Sequence, residues 1–297
     1  MKSQNDFFAI GIGEILWDLF PEGKMLGGAP TNFAFHIHQM NVKGVIISAV
    51  GMDPLGKEIL KIIEEKHLVN LIQTNGNPTG TVSVSLDGTG IPNYIIHEKV
   101  AWDFVDTTGE TLKSAKEANA ICFGTLAQRS PLTKNTIQKI LQTASKETLK
   151  VFDINIRQHF YNRETIDSSL RLANILKIND EELILLSEIL DLQGAEYELT
   201  DQIMDIYQLD YLALTKGSQG SWLFSQHDSS YIQTPKVRVA DTVGAGDSFT
   251  AAMVAGFLHD LSFEDVHQLA VDVSAFVCTK EGATPVLPKD LVSSLIK

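Results

Sequence analysis

Continuous apolar runs alternate with helical patterns along most of the chain. Phe7–Gly13 (FFAIGIG), Val45–Val50, Ala120–Phe123, Lys150–Ile154, Ile175–Ile178 and Tyr211–Thr215 are short and apolar nearly throughout, which predicts strands buried on both faces. Helical patterns separate them, over Thr31–Met40, Leu55–Lys66, Lys134–Lys146, Thr165–Ala173 and Ala195–Tyr207, and a late apolar run, Phe249–Leu258, predicts another helix. Strands of this kind alternating with helices predict an α/β fold with a parallel, doubly wound sheet. No long linker, low-complexity tract or repeat breaks the alternation, so residues 1–297 are expected to form one domain.

Two segments stand outside the pattern. Residues 14–24 mix apolar and acidic positions, and residues 79–98 read as two strands of alternating polarity, TVSVSL and NYIIH. The turn-rich Asp87-Gly88-Thr89-Gly90 joins those strands into a hairpin. The hairpin is either a decoration or a small lid that closes over a substrate and excludes water.

Composition narrows the function. The net charge is −13, with Lys and Arg scattered, so neither nucleic acid nor an anionic membrane is an expected partner. Cys122 and Cys278 lie in apolar runs and read as small buried hydrophobes, without metal-ligand spacing. The polar start, Met1 to Asp6, carries no apolar signal run, and no run reaches membrane-span length. A cytoplasmic protein is expected.

The chemistry concentrates at Asp241-Thr242-Val243-Gly244-Ala245-Gly246-Asp247-Ser248-Phe249, where a β-rich region meets the late apolar helix. Gly244, Ala245 and Gly246 leave the turn almost bare, and N–H groups from Val243 to Asp247 fall at or before the helix start. Unpaired N–H groups and the positive end of the helix dipole make such a turn an anion site. A carboxylate at Asp247 would repel an anion. It makes sense as the base that takes a proton from a nucleophile beside that anion, which is the chemistry of phosphoryl transfer. The plainer alternative is a helix cap.

This stretch resembles the C-terminal signature of the ribokinase-like (PfkB) carbohydrate kinases. The resemblance implies a ribokinase-like three-layer α/β/α fold with a mostly parallel sheet and a small inserted β-lid built from residues near 14–24 and 79–98. It also implies Asp247 as the base and Gly244, Ala245 and Gly246 as the anion hole. Gly27-Gly28-Ala29-Pro30-Thr31-Asn32 is similar to the family's N-terminal signature, which implies Gly28 and Asn32 as sugar contacts. Asp18 matches the family's acidic residue that takes sugar hydroxyls, and Asp153-Ile154-Asn155-Ile156-Arg157 resembles a strand end whose arginine, Arg157, reaches substrate oxygens. Asn179 and Glu182 fit the N-x-x-E element, implying hydrated magnesium and phosphate, while an acid-rich helix start remains the ordinary reading. Thr215, Gly217 and Gly220 fit T-x-G-x-x-G beside the ATP phosphates, where a plain turn between strands is the alternative. Asp241 and the loop from Lys280 to Pro285 resemble a monovalent-cation site, implying potassium. Gly51-x-Asp53-x-x-Gly56 reads as structural, with the sugar nearby.

The implied activity is ATP-dependent phosphorylation of a sugar hydroxyl. Gly-Gly-Ala-Pro, the opening Gly-Glu-x-x-x-Asp and Ala101-Trp102-Asp103 look most like bacterial fructokinases, and fructose 6-phosphate is the expected product. Ribose and 2-keto-3-deoxygluconate are competing substrates, and a homodimer through an exposed lid is conceivable. A non-catalytic sugar sensor on this fold is the reading from another class. An NAD-dependent oxidoreductase using Gly11-x-Gly13 lacks the third glycine of the dinucleotide fingerprint.

Overall fold

A computed structural model of the chain describes residues 7–86 and 92–295. The turn Asp87–Gly90, expected to close the hairpin, lies outside the described residues. Among those residues the chain forms two sheets, with strands and helices numbered here in chain order. The main sheet holds β1 (Phe8–Ile12), β4 (Lys43–Gly51), β5 (Val69–Asn75), β8 (Ala120–Phe123), β9 (Leu149–Asp153), β10 (Ile175–Asn179), β11 (Tyr211–Thr215), β12 (Ser221–Ser225) and β13 (Ser229–Ile232). The second sheet holds β2 (Leu16–Phe20), β3 (Gly23–Gly27), β6 (Gly80–Leu86) and β7 (Pro92–Ile96). The helices are α1 (Ala29–His38), α2 (Pro54–Glu65), α3 (Gly109–Glu117), α4 (Pro131–Thr143), α5 (Arg163–Leu170), α6 (Asp180–Leu190), α7 (Glu196–Tyr207), α8 (Ala245–Leu258) and α9 (Phe263–Cys278).

The main sheet runs β13-β12-β11-β10-β9-β8-β1-β4-β5. Pairing is parallel from β11 to β5, and β12 and β13 add an antiparallel edge. Strand order reverses between β1 and β8: the chain first walks outward through β4 and β5, then returns to β8 and proceeds the other way. Open sheets of this kind bind ligands beyond the carboxyl ends of the strands at such a reversal.

Period-two alternation explains the layers. Along β8, Ile121 and Phe123 join the core cluster that contains Ile137 and Ile140 of α4 and Leu183 of α6, while Ala120 and Cys122 join the cluster built on α1, α8 and α9. The small residues of α8 (Ala251, Ala252, Ala255, Gly256) let it pack between α1 and α9 with its surface buried nearly all round. Among the described residues, no helix is long and apolar enough to cross a membrane.

Most predicted elements appear with their ends moved by a few residues. Five elements were not anticipated: β3, β5, β13, α3 and α9. The strands among them are partly exposed, with polar positions that break a buried-strand pattern. One boundary matters for chemistry. The motif Asp153-Ile154-Asn155-Ile156-Arg157, which resembles a strand end, runs mostly past the strand: β9 ends at Asp153, and Asn155 turns the chain with φ 46°. Asp153 and Arg157 therefore do not share a strand face.

Residues 14–24 and 79–98 supply three of the four strands of the second sheet, in the order β3-β2-β6-β7. Asp53 fastens this sheet to the main body. Its carboxylate caps α2 by accepting the Gly56 N–H at 2.8 Å, and it also accepts the Thr79 N–H at 2.8 Å and the Thr79 hydroxyl at 2.6 Å, just before β6. Burial pushes this carboxyl up, but those bonds outweigh it and hold it below the usual range. The Gly51–Gly56 turn is structural and does not line the large cleft. Replacing Asp53 by Ala removes a helix cap and two anchoring bonds together; we expect a loss of about 2 kcal/mol or more in urea denaturation.

Candidate active site

A cleft of about 1840 Å³ opens where the second sheet overhangs the carboxyl ends of the main-sheet strands. Asp18, Gly28, Asn32, Arg157, Asn179, Glu182, Thr215, Gly217, Gly220, Asp241 and the turn from Gly244 to Asp247 all border it. The chain folds these segments, distant in sequence, around one space. The neighbourhoods of these residues separate their capabilities.

Gly244 is the N-cap of α8, at φ 78°, and a Cβ there would lie 2.5 Å from the Ala283 carbonyl oxygen. Only glycine suits that backbone and that contact. No side chain caps the helix. The first-turn N–H groups of Gly246 and Asp247 therefore lack intrahelical partners, and both residues border the cleft. Two donors expected in the anion hole are already engaged. The Val243 N–H donates to Asp241 Oδ1 at 3.0 Å, and the Ala245 N–H donates to the Thr242 carbonyl at 3.3 Å. Gly244, Gly246 and Asp247 remain as the backbone donors of the turn.

Asp247 stands in the first helical turn rather than at the cap position, so capping does not explain it. Its Oδ2 accepts a hydrogen bond from Asn32 Nδ2 at 2.8 Å, which ties α8 to α1. Burial and then the charge of Asp153 push its carboxyl up to about 6, while Asn32, Lys177 and Arg157 pull it down. A carboxylate with that affinity for protons is a competent base near neutral pH.

Lys177 escaped the sequence reading. It sits on β10, buried, and its ammonium pairs with Asp153 Oδ1 at 3.1 Å. Asp153 Oδ2 in turn accepts the Thr250 hydroxyl of α8 at 2.8 Å. The ammonium presses against the anion turn: a Cβ on Gly246 would lie 2.9 Å from Nζ. Burial pushes this lysine down, but Asp153 and then Glu182 outweigh it and keep the ammonium above its usual range. A fixed positive charge thus stands beside the free N–H groups of α8. One signal was available in the sequence, a lysine interrupting the buried strand Ile175–Ile178, because unpaired lysine is rarely buried.

At the mouth, Asp18 projects from β2, and burial pushes its carboxyl up to about 6 against the pull of Arg157. Arg157 is exposed, and among the described residues its Nη1 donates only to the neighbouring Ile156 carbonyl, at 3.1 Å. Gly28 adopts φ 117°, and a Cβ on it would lie 2.4 Å from the Glu14 carbonyl oxygen. Glu14 is a second residue missed. It is buried, borders the cleft, and lies near Asp247 and Arg157.

Two candidate ligand positions have structural work in hand. Asn179 and Glu182 form a reciprocal capping box on α6, with Asn179 Oδ1 accepting the Glu182 N–H at 2.8 Å and Glu182 Oε2 accepting the Asn179 N–H at 2.9 Å. Glu182 Oε1 accepts the Ile156 N–H at 2.9 Å. Asp241 clasps its own turn through Val243 and holds the Gly282 N–H at 3.1 Å. Thr215 ends β11, and Gly217 and Gly220 shape the following turn with φ 52° and 115°. Among the described residues, no three His, Cys, Asp or Glu side chains cluster in metal-binding geometry. A divalent ion here would rest mainly on phosphate oxygens and water with Glu182 beside it, a donor set that suits magnesium.

Comparison with known proteins identifies the family. Residues 22–290 match the pfkB family carbohydrate kinase, and the chain belongs to that family. It is 26% identical to a fructokinase of Salmonella typhimurium, over 93% of this chain and 95% of that one. An uncharacterized sugar kinase of Pyrococcus horikoshii superposes with TM-score 0.82 at 25% identity, covering 97% of each chain. A fructokinase of Xylella fastidiosa with bound ATP superposes with TM-score 0.85 at 19% identity, covering 98% of each.

Removing the ammonium at Lys177 strands the Asp153 carboxylate in a buried place. Lys177→Met is expected to cost about 3–5 kcal/mol, and the double variant Lys177→Met, Asp153→Asn clearly less than the sum of the singles. Denaturant unfolding of the four proteins in the cycle measures both.

Proposed function

We propose that the chain transfers the γ-phosphoryl group of ATP to a hydroxyl of fructose, giving fructose 6-phosphate. One observation carries the chemistry: a proton-seeking carboxylate, Asp247, stands in the same helical turn as unpaired N–H groups, with the Lys177 ammonium against that turn. The acceptor sugar lies between β2 and α1, oriented by Asp18, Gly28, Asn32 and Arg157. Asn32 holds the Asp247 carboxylate in place while it takes the proton of the attacking hydroxyl. The oxygen then attacks the γ-phosphorus in line, the bond from that phosphorus to the bridging oxygen breaks, and ADP leaves with the electron pair. The N–H groups of Gly244, Gly246 and Asp247 and the ammonium of Lys177 stabilise charge on the phosphoryl oxygens during transfer.

Thr215, Gly217 and Gly220 border the ATP phosphates in this reading, and Asn179 and Glu182 hold water around magnesium, which neutralises phosphate charge when bound. Potassium belongs beside Asp241 and the carbonyls of the 280–285 loop. A rate or melting temperature indifferent to potassium would remove it. Fructose is favoured by the likeness to the Salmonella fructokinase along nearly the whole chain and by the motif at Gly27-Gly28-Ala29-Pro30. Ala101-Trp102-Asp103 supports the site from outside: Asp103 pairs with Arg129, which also donates to the His97 carbonyl just beyond β7. Closure of the second sheet over the sugar, a cytoplasmic location and a homodimer through the exposed Met25, Tyr94 and Ile95 belong to the same reading.

ATP turnover against fructose, ribose, 2-keto-3-deoxygluconate and fructose 6-phosphate, with magnesium and potassium, tests the proposal. Fructose should be preferred, and silence on every sugar despite ATP binding would favour a sensor. Asp247→Asn should lower kcat on the order of 10²–10⁴-fold with sugar binding nearly intact; normal turnover would refute the base assignment. The base works only when deprotonated and its carboxyl is raised to about 6. The rate should thus hold above that pH and fall about tenfold per unit below it. A rate–pH profile flat to pH 5 would contradict this.

A further inference from the structure

Two buried oxygens on the cleft wall have no hydrogen-bond partner among the described residues: Oε2 of Glu14 and Oδ1 of Asn32. Both residues are 4% exposed, and both border the cleft beside Asp247. The Asn32 amide is oriented by chemistry. Its nitrogen must face the Asp247 carboxylate, which accepts at 2.8 Å, so its oxygen is the atom left over. Burying an unpaired acceptor costs about 1–3 kcal/mol, and two beside one cleft call for a ligand that donates twice. A fully deprotonated phosphate group has no proton to donate, and neither has an apolar group. A polyol can.

The position of Glu14 fits that task. It lies between β1 and β2, where strand order reverses, and its main chain is held against Gly28. Burial pushes its carboxyl up, while its own N–H, the Arg157 charge and the Ala29 N–H at the start of α1 pull the other way. Asp18 lies four positions along, at the mouth of the same cleft.

We propose that Glu14 is a sugar-binding residue, its Oε2 accepting one hydroxyl of the acceptor while Asn32 Oδ1 accepts another. This rests on the sugar-kinase reading and adds to it a determinant of which hydroxyl pattern is accepted. A site built to accept a hydroxyl discriminates strongly against a substrate that lacks it, because the buried acceptor is then stranded.

The test is steady-state kinetics of the full chain with the best sugar of the panel and its monodeoxy analogues. Wild-type protein is compared with Glu14→Gln, which keeps the shape, and Glu14→Asp, which keeps the charge and withdraws the oxygen. Both variants should raise the KM for the sugar about ten- to a hundredfold, with the KM for ATP within about twofold of wild type. The penalty should vanish for the one analogue that lacks the contacted hydroxyl, a result that a merely structural role would not give. An unchanged sugar KM, or the same penalty on every analogue, would overturn the role of Glu14 while leaving the kinase reading intact. Absence of turnover by wild type on every sugar would overturn both.

Discussion

One buried ammonium holds the centre of this protein together. Lys177 pairs directly with Asp153 and feels Glu182 and Asp247. Carboxylates in a low-dielectric interior repel one another and are costly to bury, so their shared cation decides how closely β9, β10, α6 and α8 can meet. Asp153 passes the constraint on by accepting the Thr250 hydroxyl, which fixes the first turns of α8 against the sheet. The start of α8 is therefore tied to the sheet before any ligand arrives. Rigidity has chemical value, since donors that need not reorient stabilise developing charge most effectively.

Asp247 is raised to about 6 by the same arrangement. Burial lifts it and the neighbouring Asp153 lifts it further, while Lys177 and Asn32 prevent a larger rise. A fully solvated aspartate would be too weak a base for a sugar hydroxyl, and a wholly uncompensated one would stay protonated at neutral pH. The intermediate value depends on three elements at once: α1 through Asn32, β10 through Lys177 and β9 through Asp153. None of these dependencies is local in sequence.

That non-locality explains what was legible in the chain. Strand and helix periodicity revealed most of the main sheet, because strands buried on both faces leave uniform apolar runs such as Ala120–Phe123. The turn at Gly244–Asp247 was legible because a helix start needs bare backbone to receive an anion, and the N-terminal Gly27-Gly28 likewise announced a close approach. The path after β9 was not legible, since Asn155 turns the chain through a positive φ that the side-chain pattern does not encode. Lys177 was passed over because it is one charged residue in an apolar run and its role depends on its partner Asp153, and Glu14 because it was read only as part of Gly-Glu-x-x-x-Asp. Glu182 and Asp241 show the reverse case. Their presence was legible, but the capping box and the loop clasp that occupy them appear only in three dimensions.

The second sheet divides the labour with this centre. The main sheet supplies charge, placed on strand ends and one helix start, and its geometry suits a phosphoryl group whatever the acceptor. In the proposed reading the sugar end is the wall formed by β2, the segment before it and α1, whose polar groups are mostly hydrogen-bond acceptors: Asp18, Glu14 Oε2 and Asn32 Oδ1. An acceptor-rich wall selects a molecule rich in hydroxyl donors and disfavours one that brings its own negative charge, as a sugar phosphate would. Exposed Arg157, near Asp18 and Asp247, is the cation that tempers this preference. On the proposed function, substrate choice in this chain is thus a matter of hydroxyl count and position along that wall. It can change by substitutions there without disturbing the charge balance around Lys177.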